Sequence, residues 1–128
     1  MGPMRRGDIV ILDVPFSDRT GSKVRPALVV QDDDLNQRLA DTIVALVTSS
    51  RRRFAGSASQ LPIDPATPEG RQSGLRARSV VQCENLATVD KSFILGTLGH
   101  LSGGVMLQID RCLTFALGIK ACQPPGRT

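Results

Sequence analysis

Residues 21–30 read GSKVRPALVV, and the reading of this stretch decides the fold. A flexible, basic segment runs directly into Pro26 and then into the apolar run Ala27–Val30. A short unbroken run of Ala, Leu and Val suits a strand buried in a sheet. Pro26 has no backbone N–H to give to a ladder, so it is expected at the strand's first position or on an edge. Proline also restricts the residue before it to extended backbone. The second strand is therefore predicted over Ala27–Gln31, with the Arg25 guanidinium held at the mouth of the sheet.

Working outward, Asp8–Val14 (DIVILDV) reads as a first strand, joined to the second by the polar, Gly-containing loop Phe16–Arg25. Asp32–Asp41 is expected to form a turn or short helix. Thr42–Thr48 (TIVALVT) reads as a third strand, rich in β-branched residues and apolar enough for burial on both faces. A basic loop, SSRRRFAGSAS, precedes a short strand at Gln60–Ile63. Asp64–Gly74, rich in Pro and Gly, is predicted as a surface loop. Two strands are predicted at Ala77–Val81 and Asn85–Val89, with Cys83 and Glu84 between them, and a short helix from Ser92 to Leu95. Ser102 is a candidate N-cap for a closing helix, in which Val105, Met106, Ile109, Leu113, Ala116 and Leu117 recur at helical spacing. Gly118 suits the left-handed position after its last turn. Several short strands with one closing helix predict a mainly β fold: a small, strongly bent sheet or barrel.

At 128 residues the chain is one domain, with residues 1–5 and 120–128 expected to fray. No run approaches the roughly 20 apolar residues of a membrane span, and the N-terminal residues carry no secretory-signal pattern. The three cysteines form no Cys-x-x-Cys pair and His100 is the single histidine, so no zinc site can be assembled. These features predict a cytoplasmic protein without cofactor or metal. The net charge of +4, from 13 Arg and 3 Lys against 12 acids, favours a polyanionic partner. Arginine pairs bidentately with phosphate, although an Arg-rich bias also follows from genome composition.

The chemistry-bearing residues gather at strand ends. Arg25 begins the second strand, while Thr48 ends the third, directly before Ser49, Ser50 and the triple arginine Arg51–Arg53. Were the two strand ends neighbours, a guanidinium and a hydroxyl would converge beside two basic loops, a pairing that suits a phosphodiester. Each residue also has a structural reading. Arg25 can pair with a surface acid such as Asp18, Thr48 can serve the strand alone, and the arginine run can be a solvated face. Phe16 and Phe54 can stack on unpaired bases or pack under their loops. His100 and Cys83 read as structural.

Four segments, RGDIVILDVPFSD, GSKVRPALVVQ, TIVALVTSS and SVVQCENLATVDKSFI, give the chain a resemblance to the MazF/PemK family of toxin endoribonucleases, in order and over roughly Arg6–Ile119. The resemblance implies a small SH3-like barrel (CcdB/PemK-like) with a C-terminal helix, a homodimer, and an RNA groove across the dimer. It places the catalytic pair on Arg25 and Thr48. The implied reaction is attack by the RNA's own 2′-hydroxyl on the adjacent phosphate, leaving a cyclic phosphate and a 5′-hydroxyl without a metal; DNA lacks that nucleophile. RNA contacts are expected from Phe16, Ser17, Asp18, Arg19, Thr20 and Lys23 in the first loop. The second loop offers Ser49, Ser50, Arg51, Arg52, Arg53 and Phe54, and Gln82 completes the set.

The chain departs from PemK-like relatives in the groups for proton transfer. The first loop, Ser17–Lys23, has no His, and the relatives' Arg-Cys-Asp stretch reads Gln82-Cys83-Glu84. Glu84 is therefore the candidate acid or base if it faces the groove. The implied partners are single-stranded RNA (mRNA, tRNA or rRNA) and a cognate antitoxin whose acidic segment folds over the groove. The homodimer interface is expected on the closing helix and nearby strands, since the helix's Val105–Leu117 stripe needs cover. Two other functions compete. A gyrase inhibitor of the CcdB kind would act through an aromatic C-terminal residue, whereas this chain has no Trp and ends in PPGRT. A non-catalytic RNA-binding barrel would lose binding, with no separate loss of rate, when Arg25 is removed.

Overall fold

The computed structural model describes residues 4–14, 23–49 and 56–120. Six strands form one antiparallel sheet: β1 (Asp8–Val14), β2 (Lys23–Val29), β3 (Asp41–Thr48), β4 (Gln60–Ile63), β5 (Ser79–Asp90) and β6 (Ile94–His100). Their order across the sheet is β4-β5-β3-β2-β1-β6. Three helices join them: α1 (Asp33–Arg38), α2 (Pro68–Gln72) and α3 (Gly103–Leu117).

The central strands are apolar without alternation because both of their faces are covered. On one face Ile9, Leu28, Ala45, Val47, Val81 and Cys83 pack under Val105, Met106, Ile109 and Cys112 of α3. On the other, Val10, Leu12, Ala27, Val29, Val44 and Val89 form a second cluster, flanked by Met4 and Ile94. α3 is bounded as its sequence predicts: the Val105 N–H donates to the Ser102 hydroxyl at 3.3 Å, and Gly118 takes the left-handed conformation at φ 68°. Arg6 fastens this helix to the sheet, donating to the Val30 carbonyl at 2.8 Å and to Asp110 at 2.7 Å.

Several boundaries differ from the sequence reading. β2 begins at Lys23, so Arg25 and Pro26 lie inside the strand. Pro26 is accommodated because it pairs with Ile11 of β1 while the ladder with β3 stops one residue away, at Ala27↔Leu46. Residues 64–74 hold α2, whose start uses signals present in the sequence: Thr67 caps the Gly70 N–H at 3.0 Å and Pro68 opens the helix. The two strands expected at 77–89 are one strand of 12 residues, β5. The helix expected at Ser92–Leu95 is a single 3₁₀ turn, Lys91–Phe93, which leads into the unforeseen β6.

The barrel expectation also needs refinement. Among the described residues β4 and β6 are the two edges of the sheet and do not pair with each other, so no ladder there closes it. The segment after α2 lies across the β6 edge instead. A Cβ on Gly74 would stand 2.2 Å from the Leu98 carbonyl oxygen, and one on Gly99 would stand 2.2 Å from that of Gln72. Only glycine permits so close an approach.

The Val105–Leu117 stripe is covered largely by the chain's own sheet. Val105, Met106, Ile109 and Cys112 are buried, and Leu113 and Ala116 pack partly against the same core, but Leu117 is 57% exposed. The apolar groups that α3 leaves uncovered are Leu107, Phe115 and Leu117, followed by Ile119.

Candidate functional site

Arg25 and Thr48 lie on one face of the sheet, at the end where the second apolar cluster gives way to solvent. Arg25 is directly opposite Leu12 of β1, and Thr48 is directly opposite Val80 of β5. The β2–β3 register, Ala27↔Leu46 and Leu28↔Ala45, carried two residues further on each strand brings Arg25 level with Thr48. Residues directly opposite each other share a face, with Cβ atoms roughly 4.5–5.5 Å apart in regular pairing. Both side chains are half-buried, and among the described residues no carboxylate forms an ion pair with Arg25. The last β2–β3 pair is Ala27↔Leu46, so both residues lie two positions beyond it, at the ends of neighbouring strands.

Ser49 follows β3 directly and is exposed. Gln82 is half-buried between Leu46 of β3 and Gln60 of β4. Just beyond it the β3–β5 register jumps: Leu46 pairs with Gln82 but Ala45 pairs with Leu86, leaving Cys83, Glu84 and Asn85 without partners on β3. Such bulges bend a strand and re-aim its side chains.

Glu84 stands on this bulge and turns toward β4. Its Oε1 accepts from the Ser59 hydroxyl at 2.9 Å, and its Oε2 accepts from Gln60 Nε2 at 2.6 Å. Desolvation alone would raise its pKa, but the bonds from Gln60, its own backbone and Ser59 together hold the carboxyl below its ordinary range. Beneath it, Cys83 is fully buried in the same core cluster as Cys112 of α3. Burial, with Cys112 and Glu84 nearby, pushes the Cys83 thiol up to about 12; burial also raises Cys112. Neither thiol is suited to nucleophilic work.

Of the residues expected to meet RNA, Phe16, Ser17, Asp18, Arg19, Thr20, Ser50, Arg51, Arg52, Arg53 and Phe54 lie outside the described residues. Lys23 opens β2, opposite Val14. His100 ends β6 opposite Asp8, on the far side of the sheet from β5. Among the described residues no group of three or more His, Cys, Asp or Glu could hold a metal ion, and no helix is long and apolar enough to cross a membrane. The sequence reading missed Ser59 and Gln60 as partners of Glu84. Their only signal was a run of small polar residues ahead of a short strand.

Residues 5–117 match the PemK-like, MazF-like toxin of type II toxin–antitoxin systems. The chain belongs to that family. Among curated proteins, this MazF-like chain is 28% identical over 117 residues to the endoribonuclease MazF of Staphylococcus epidermidis, covering 91% of this chain and 92% of that protein. Among solved structures, it resembles a mycobacterial endoribonuclease in complex with its cognate antitoxin: TM-score 0.72, 22% identity, 93% of this chain and 99% of the other. It also resembles MazF in a MazE–MazF crystal from Deinococcus radiodurans: TM-score 0.71, 21% identity, 94% and 100% of the two chains. At these identities the structural likenesses establish the fold.

Proposed function

We propose that this MazF-like toxin is an endoribonuclease that cuts single-stranded RNA at chosen sequences. Its family membership supports the toxin role, and the activity in the name of its staphylococcal relative supports the reaction class. The observation that carries the chemistry is the row of Arg25 and Thr48 at two neighbouring strand ends, on one face of the sheet.

In this reading the scissile phosphate sits over that row. The adjacent 2′-hydroxyl gives up its proton to water as its oxygen bonds to phosphorus, the bond from phosphorus to the 5′-oxygen breaks, and the leaving oxygen takes a proton from water. The products are a 2′,3′-cyclic phosphate and a 5′-hydroxyl. Charge accumulates on the non-bridging oxygens in the transition state, where the Arg25 fork stabilises it and the Thr48 hydroxyl holds one of them. Pro26 and the buried run after it keep the guanidinium in place, so little reorganisation accompanies the reaction. The chemistry proceeds on RNA, which carries the nucleophile, and runs without metal. The targets are mRNA, tRNA or rRNA. Ser49 and Gln82, with Phe16 to Thr20, Lys23 and Ser50 to Phe54, read the bases and hold the backbone.

The chain works in the cytoplasm as a homodimer, and an antitoxin with an acidic segment blocks the groove. Incubating the purified chain with a long mixed-sequence RNA in excess EDTA tests this reading. Discrete fragments with 5′-hydroxyl ends are expected, and intact RNA would overturn it.

A further inference from the structure

The acid on β5 has a second role open to it, and the geometry favours that role over proton transfer. Thr48 is level with Val80, and Glu84 lies four positions further along β5, about 13 Å along the strand at roughly 3.3 Å per residue. A proton acceptor must come within about 3 Å of the hydroxyl it serves, or reach it through one water. The carboxylate also points the wrong way. Both of its recorded side-chain partners, Ser59 and Gln60, belong to the β4 side of β5, whereas Arg25 and Thr48 lie on the β3 side.

We propose, on the ribonuclease reading above, that Glu84 is a positioning residue, clasping the chain where it enters β4 beside Gln82. The clasp has several members. Ser59 is 5% exposed and donates to Glu84. The Ser57 and Ser59 hydroxyls lie 2.9 Å apart, and the Ser59 N–H donates to Ser57 at 3.1 Å. The Cys83 N–H donates to the Ser59 carbonyl at 3.0 Å, and Gln60 reaches the second carboxylate oxygen while pairing with Gln82. The bulge at 83–85 frees Glu84 from its β3 neighbours for this contact. Glu84 thereby fixes residues 57–60 beside Gln82, one of the residues assigned to RNA contact, a contribution to RNA binding and cut-site choice. The step needs no change of protonation at Glu84.

Steady-state cleavage of a short RNA by Ser59→Ala, Glu84→Ala and Glu84→Gln tests this, with tryptic nicking at Arg51–Arg53 measured in parallel. The clasp predicts that Ser59→Ala and Glu84→Ala each raise KM roughly tenfold, move kcat less than threefold, keep the pH–rate profile, and speed nicking. Glu84→Gln, able to keep one bond, should fall between them and the parent. A loss of about 100-fold or more in kcat for Glu84→Gln, with a limb of the pH profile gone and Ser59→Ala unaffected, would identify a proton carrier and overturn the proposal. If Glu84→Ala does not fold, Ser59→Ala alone decides. Should the parent cut no RNA, the ribonuclease reading fails by itself. The nicking rates still test the clasp, and equal rates in all four proteins would overturn it.

Discussion

Arg25 and Glu84 are both charged groups on the same sheet, but they are restrained for different ends. Arg25 is held by backbone: proline follows it, a strand surrounds it, and no described carboxylate neutralises it. Glu84 is held by side chains, through two bonds that occupy both of its oxygens. The cysteines beneath show the cost of ionisation in this core. A thiol pushed up to about 12 is ionised in only about one molecule in ten thousand near pH 8, against roughly a quarter of ordinary thiols. Iodoacetamide should therefore alkylate Cys83 in the folded chain on the order of a thousandfold more slowly than in denaturant, followed by mass spectrometry of the labelled peptides. Equal rates would show that the thiol is neither buried nor suppressed. The sign follows from burial, which disfavours the thiolate.

At the scale of elements, the bulge in β5 and the glycine contacts on β6 shape the sheet. Alanine at Gly99 would put a methyl group into the Gln72 carbonyl and the Ser73 backbone. Overpacking of this kind costs about 1–3 kcal/mol, so Gly99→Ala should lower the urea midpoint with little change in slope. An unchanged midpoint would mean that the 72–75 segment does not bear on β6.

These same elements mark where sequence ceased to be informative. β1 and β4 were legible to the residue, because an apolar run and its polar flanks define them locally. α3 was legible from Ser102 and Gly118. β5 was read as two strands because Cys83-Glu84-Asn85 breaks the apolar pattern. That break is a bulge whose purpose appears only once β4 lies alongside. β6, ILGTLGH, was missed because its two glycines lower strand propensity; the tertiary contact that requires Gly99 is not visible locally. For the site, the strand ends suggested Arg25 and Thr48 only if they were neighbours, the family resemblance placed the catalytic pair there, and register aligns them. Ser59 and Gln60 were out of reach, since nothing local says that a serine will meet a carboxylate 25 positions later.

Over the whole molecule, we propose the uncovered apolar groups on α3 as the seat of a second copy. Leu107 and Phe115, each 62% exposed, and Leu117 and Ile119, each 57%, lie outside the core that buries the rest of the helix. Truncating a central apolar anchor in an interface typically costs 1–2 kcal/mol or more. Phe115→Asp should thus weaken dimerisation at least tenfold in sedimentation equilibrium, with the circular dichroism of the fold intact. A parent chain that sediments as a monomer at micromolar concentration would refute the dimer.

We propose that Arg25 acts on the reacting phosphate, and the most direct test separates rate from binding. Single-turnover cleavage of a short RNA at saturating enzyme should fall about 100- to 1,000-fold in Arg25→Ala, the usual loss for one charge-stabilising donor, while RNA affinity changes only a few-fold. A variant that binds much more weakly yet cleaves at the parent's rate once saturated would contradict the account and leave Arg25 as a binding residue alone.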